Sequence, residues 1–506
     1  MEGRAECGGG RALGGTEQSW SRAVPGGTGT AVLAILTTNP PDSASLNAAL
    51  HKLQTSHPIL RSRLHHHHHH HNNSTRTTPA AAAVSIAPAA APFVRVKQVN
   101  LSSTLNILTA ADSSSPPLQL ILEHELNNNQ WASSTATATA KPENNNIEDL
   151  FFATTYALPK DKWAVVLRLH VAACDRTTAV SLLNELLALL VAAGEEEEKK
   201  YWPPGEEGKE VGAAIEELIP KGKAKKSVWA RGVDMVGYSV GSFRLTNLRF
   251  VDARSDRRSQ VVRFQLDRDQ TEKLLAGCEK VGIKLCGVLT AAGMIAAQYS
   301  LRKKNLSSNR RGGGGVEKQR KYGVVTLTDC RSILSPSLSP HHFGFYHSAI
   351  MNTHTLKPTP SSVGGNSTET PPYHLWEEAQ KAYKAFRSYK ESDRQFTDMA
   401  DINFLMTTAL DNPSLTPSSA LRTSLLSVFE DTVVDDNSGG GAARDVVGVE
   451  DYMGCASVHG IGPSLAVFDT IREGKLDCVC VYPSPLHSRE QMVEFVDKMK
   501  SVLVSC

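Results

Sequence analysis

One stretch limits the fold more than any other. From Trp163 to His170 the apolar positions Val165, Leu167 and Leu169 alternate with the period of a strand. From Thr177 to Ala193 the residues Leu183, Leu186, Leu187 and Leu190 recur at helical spacing, which predicts a helix with one core-facing stripe. Only a short turn through Asp175 separates them, so this part of the chain reads as strand, tight turn and helix. The same mixture recurs. Strands are predicted over 31–37, 261–266, 322–328, 464–468 and 477–482, and helices over 46–56, 269–281, 288–300, 373–389 and 488–503. In the last helix Ser488 and Gln491 stand at capping-box spacing, and Met492, Val496, Met499 and Leu503 form a buried stripe. The class is α/β, with mixed sheets, helices packed on them and two similar halves.

Length and punctuation place the halves. The 506 residues, 41% hydrophobic and 21% charged, suffice for two ordinary globular domains. An acidic-to-basic stretch from Glu195 to Lys226, broken by Pro203 and Pro204, reads as a crossover. This predicts an N-terminal lobe over 1–195, a linker over 196–239 and a C-terminal lobe over 240–506. Low-complexity tracts at 65–71, 80–92, 127–146, 311–315 and 438–443 are predicted to be surface loops, inside insertions at 65–92, 127–146, 303–320 and 435–445. Seven successive histidines from His65 to His71 attract divalent metals, but a homopolymer flanked by Asn, Ser and Thr fixes no ligand geometry. No metal site is assigned.

Charge removes several partner classes. Lys+Arg is 54 against Asp+Glu 52, a net charge of +2, which gives no drive toward nucleic acid or an anionic membrane. No apolar run approaches the ~20 residues of a membrane span, and residues 1–15 lack a signal-peptide core. The nine cysteines show no metal spacing and read as reduced thiols of a cytoplasmic protein, with the sequons at Asn72, Asn73, Asn100, Asn305 and Asn366 unused. The Gly-rich turns lack the strand-then-helix spacing of a phosphate loop.

Motif order carries more information than any single motif. Besides 167–186, the chain shows Leu13-Gly14-Gly15-Thr16-Glu17, then His57-Pro58-Ile59-Leu60-Arg61, Asp329-Cys330-Arg331, Phe343-Gly344-Phe345 and a closing His487-Ser488-Arg489-Glu490. In this order the sequence resembles the chloramphenicol acetyltransferase-like superfamily, which includes peptide-synthetase condensation domains, plant BAHD acyltransferases and alcohol acetyltransferases. The resemblance implies two lobes facing a central tunnel. It also implies an acyl-CoA or other acyl thioester as co-substrate with no further cofactor, a hydroxyl or amine acceptor, and a monomer acting on small molecules. In that family a His-His-x-x-x-Asp-Gly motif supplies its second His as general base, a role suited to neutral imidazole. Its Asp is structural, and here Asp175 has Arg331 as candidate partner.

The motif is incomplete. Asp175 is followed by Leu182-Leu183 and Glu185-Leu186 at the family's offsets, which makes it the motif Asp. Counting back, His170 takes the first His position, Val171 the catalytic second, and Arg176 replaces the Gly. An alternative register, with Cys174 at the Asp position, keeps a catalytic His170 but breaks the helix alignment. A neighbouring strand residue faces the other way unless a bulge restores it. His459, in the Gly-rich segment 457–463, is a second candidate base, and His341, His342 and His347 flank Phe343-Gly344. Two functions follow: an acyl-CoA-dependent transferase with His170 or His459 as catalytic residue, or a non-catalytic binding or scaffold relative.

Overall fold

The computed structural model describes residues 10–67, 83–89, 94–110, 115–132, 147–192, 210–227, 229–232, 245–308, 319–356, 375–435 and 444–505. The chain divides into two compact units. The first takes Met1–Pro220, Arg331–Tyr346 and Asn437–Ser457; the second takes Lys221–Cys330, His347–Asp436 and Val458–Cys506. A single cut near residue 240 therefore misses two segments that return to the first unit. They return because Arg331 pairs with Asp175, and because strand Val449–Val458 lies beside Thr28–Thr37.

In the first unit a five-stranded sheet runs in the order Val449–Val458, Thr28–Thr37, Lys162–His170, Phe151–Leu158, Lys97–Val99. Strand Lys162–His170 is central, antiparallel to both neighbours, with Thr30 opposite His170. Ala164, Val165, Val166, Leu167 and Leu169 are all buried, so the strand is covered on both faces rather than one. Helix Arg176–Ala192 buries Leu182, Leu183, Leu186 and Leu187 in the same core as Leu46, Leu50 and Leu53 of helix Ser43–Ser56. The latter helix starts where the Asp42 carboxylate accepts the Ala44 and Ser45 N–H groups, and it stops at His57, before Pro58.

Two tracts expected as loops are partly strand. Ser62–His67 and Ala83–Pro88 pair antiparallel, His65 opposite Ser85, in a four-stranded sheet completed by Arg11–Ala12 and Ile147–Asp149. Composition hid this because the alanine-rich tract carries Val84 and Ile86 two residues apart, and both are buried with Leu64. The expectation for 127–146 fails at its start, where Asn127 ends a helix and Trp131 is buried. The linker is corrected likewise, since Val211, Ala214 and Ile215 are buried within the first unit. The rest of these tracts, including 68–82, 133–146 and 436–443, lies outside the described residues.

The second unit holds a seven-stranded mixed sheet. Its main order is His347–Leu356, Arg320–Asp329, Arg422–Phe429, Gly462–Arg472, Lys475–Ser484, Arg258–Gln265, with Val433–Asp435 alongside Gly462–Arg472. Helix Leu285–Ser308 is apolar around most of its circumference over its first half, and Val288, Leu289, Ala291, Ala292 and Ala296 are fully buried. It continues past the predicted end at Ser300 into the tract expected as an insertion. In helix Arg489–Val504 the Ser488 hydroxyl accepts the Gln491 N–H, but the Gln491 side chain donates to the Arg249 carbonyl instead of closing the box. Among the described residues no single helix is long and apolar enough to cross a membrane, and no disulfide forms.

Candidate functional site

The turn after strand Lys162–His170 is built around one carboxylate. Val171–Ala173 form a single 3-10 turn, and helix Arg176–Ala192 begins immediately after Asp175. Asp175 accepts the Thr178 N–H at 2.9 Å, which caps the helix, and the Tyr346 N–H at 2.8 Å. Arg331 closes on both its oxygens, Nη1 to Oδ2 at 2.8 Å and Nη2 to Oδ1 at 3.0 Å. Both side chains are nearly inaccessible, at 1% and 3% exposure for Asp175 and Arg331. The guanidinium also donates to the Thr178 hydroxyl and the His342 carbonyl, and its centre lies 4.9 Å from the middle of the Tyr346 ring. Gly344 is required here. Its φ of 146° and a Cβ that would come 2.8 Å from the Tyr346 ring leave no room for a side chain.

His170 is fully buried, against the edge of Trp131 with centroids 5.3 Å apart. Its Nδ1 accepts the Ala172 N–H at 3.0 Å, so the neutral ring carries its proton on Nε2. Nε2 has no hydrogen-bond partner among the described residues. Burial pushes the ring down to about 4, against a smaller upward pull from Glu148. A base must offer an open lone pair to its substrate, and His170 offers none: one nitrogen is occupied and the other is already protonated.

Val171 follows His170 directly and opens the 3-10 turn. It is 6% exposed and packs with Val24, Trp131 and Phe345, with Trp20 and Phe152 against the same cluster. Gly29, at φ 94°, makes room for it, because a Cβ there would lie 2.8 Å from the valine side chain. Cys174, from the alternative register, is buried, and its thiol is pushed up by burial, so it contributes no carboxylate-like charge. Asp175, and not Cys174, pairs with Arg331.

The remaining candidates lie elsewhere. His459 belongs to the second unit, with Nδ1 3.0 Å from the Ser259 hydroxyl. In the first unit Glu185 accepts from His57 Nε2 and His341 Nδ1, each at 2.7 Å, and His57 stacks on Phe343 at 3.7 Å. These contacts tie segment 331–346 to helix Arg176–Ala192. Among the described residues no group of three or more His, Cys, Asp or Glu side chains is placed to hold a metal ion. Asp175 and Arg331 are thus brought together, while His170 and His459 belong to different units. Trp131, Thr178 and Tyr346 had no signal of their own, since each matters only through its neighbours.

Four histidines are expected to make the fold acid-sensitive, with His170 and His487 fully buried and His354 and His459 half-buried. Burial pushes His170, His354, His459 and His487 down to about 4 from an ordinary 6.5. The unfolded chain then takes up these protons first as pH falls, so their contribution is complete above about pH 6.5 and withdrawn toward pH 4. Calorimetric melting temperatures are expected to fall steadily across that window. A flat profile there would contradict the burial of these rings.

No protein-family model and no curated protein matches the chain. Solved structures do match. A trichothecene 15-O-acetyltransferase from Fusarium sporotrichioides aligns with a TM-score of 0.66 at 11% identity, covering 98% of this chain and 94% of its own. The epimerization domain from the third module of tyrocidine synthetase B aligns at 0.56 and 14% identity, over 100% and 98%. Polyketide synthase associated protein 5 from Mycobacterium tuberculosis gives 0.56 and 14%, over 98% and 97%.

Proposed function

The chain has the fold of the chloramphenicol acetyltransferase-like superfamily, and from that premise we propose that it binds an acyl thioester and a small hydroxyl or amine acceptor without general-base catalysis. One observation supports this reading: Val171, to which the resemblance assigns the position of the base, is buried among apolar side chains. His170 does not replace it, because its Nδ1 is taken by Ala172 and its Nε2 holds the proton. Positioning alone then supplies whatever transfer remains. The near-balanced charge supports small-molecule partners over nucleic acid.

A second reading, a working transferase with its base elsewhere, is favoured by the complete Asp175–Arg331 turn. Thiol release from acetyl-CoA and longer acyl-CoA donors, with alcohol and amine acceptors, separates the two. Wild type is expected to stay at background while binding acyl-CoA at equilibrium, with His170→Ala and His459→Ala no different. Robust turnover abolished by one of these alanine changes would establish the transferase reading and end the first.

A further inference from the structure

Helix Met399–Asp411 of the second unit is amphipathic, yet its apolar side reaches no core. Ile402, Leu405, Met406 and Ala409 stand at i, i+3, i+4 and i+7, the spacing of a core-facing stripe, with Leu410 at its margin. None of these five is buried. Among the described helices and strands, this helix packs chiefly on the segments just before and after it, Arg394–Thr397 and Pro413–Leu415. The stripe therefore stays half-exposed.

A basic segment is fastened to the start of this helix. Lys226 donates to Asp398 Oδ1 and Asp401 Oδ2, both at 2.7 Å, with all three side chains nearly inaccessible. Asp398 and Asp401 stand one turn before Ile402 and Leu405, so the segment is held on the side of the helix that carries the stripe. Lys223 pairs with Asp393 at 3.0 Å and Arg394 with Asp398 at 3.3 Å, so these carboxylates are already answered. Lys221, Lys225 and Arg231 are exposed and have no ion pair among the described residues. Trp229, in the same segment, is 82% exposed. Asp411, at the far end of the helix, lies on the opposite face, half a turn round from Ile402.

We propose that this face of the second unit docks on an anionic lipid surface, with the stripe and Trp229 at the headgroup boundary and Lys221, Lys225 and Arg231 against the lipid anions. Interfacial helices lie in that plane with the apolar side down and basic groups alongside, and tryptophan settles at the level of the headgroups. Charge complementarity favours lipid over a second copy of the chain, because two such faces meeting would oppose the same cations. The net charge of +2 conceals the patch. It averages over 506 residues, whereas a membrane responds to charges within about 10 Å, a Debye length at ordinary salt. The face is independent of the motif turn, since every residue in it belongs to the second unit.

The test is co-sedimentation of the full chain with vesicles of phosphatidylcholine alone and of phosphatidylcholine with phosphatidylserine, at low and high salt, beside a DNA duplex as a soluble polyanion. Binding to the phosphatidylserine vesicles is expected to exceed binding to phosphatidylcholine alone by about tenfold and to weaken with salt. Lys221→Gln, Lys225→Gln and Arg231→Gln combined, all at exposed positions, are expected to lower it about tenfold, and Leu405→Gln and Trp229→Ala about fivefold each, with melting temperatures unchanged. Absence of vesicle binding, or vesicle binding undiminished in all three variants, would overturn the proposal. Equal binding to the DNA duplex, untouched by Leu405→Gln, would assign the patch to charge alone and overturn it as well. A dimer that Leu405→Gln dissociates, in place of vesicle binding, would give the stripe to a second copy of the chain and end the lipid reading.

Discussion

Asp175→Ala is expected to destabilise the first unit by about 3–5 kcal/mol, because it leaves the Arg331 guanidinium buried without its counter-charge. The loss of the helix cap at Thr178 adds to this, by roughly 1 kcal/mol. The melting temperature should fall by on the order of 10 °C. Asp175→Asn, which keeps an acceptor for Thr178 or Tyr346, should lie between the alanine variant and wild type. The effect is one of stability, since the carboxylate already takes four hydrogen bonds and has none to spare for a substrate. An unchanged melting temperature for Asp175→Ala would show that the ion pair does not hold the turn.

Val171→His is expected to raise thioester-dependent transfer by roughly 10²–10⁴ over wild type, the usual worth of a positioned general base. The substitution puts an imidazole directly after His170, on a turn whose carboxylate, cap and arginine are already in place. It also overfills an apolar site bounded by Gly29 and Trp131, at a cost of about 1–3 kcal/mol. A lower melting temperature should therefore accompany the gain. The measurement is thiol release by wild type and variant on the same acyl-CoA panel, each checked for folding by circular dichroism. A folded variant with no gain, beside an active wild type, would place the base outside this turn.

Much of the fold was legible in local patterns. The run 163–170 became strand Lys162–His170, and the leucine stripe from Leu183 became helix Arg176–Ala192, because period and burial coincide wherever one element faces one core. The alanine-rich tract failed for the opposite reason. Its two buried branched side chains, Val84 and Ile86, are too few to outweigh composition, and only pairing with Ser62–His67 makes it a strand. Half of the capping box at Ser488 also failed, since Gln491 found a carbonyl at Arg249, 242 residues away in the chain.

The sequence by itself determined the strand–turn–helix order around Asp175 and the valine directly after His170, because period and position are counted along the chain. Only the tertiary structure decided what the neighbouring histidine can do. Trp131 beside it and the Ala172 N–H on its Nδ1 bury the ring and set its tautomer, and burial is a property of what surrounds a residue. The same holds for two arginines of the second unit that meet at the Ala420 carbonyl. Arg257 and Arg422 are 165 positions apart, and a shared carbonyl oxygen, invisible in the sequence, makes them neighbours.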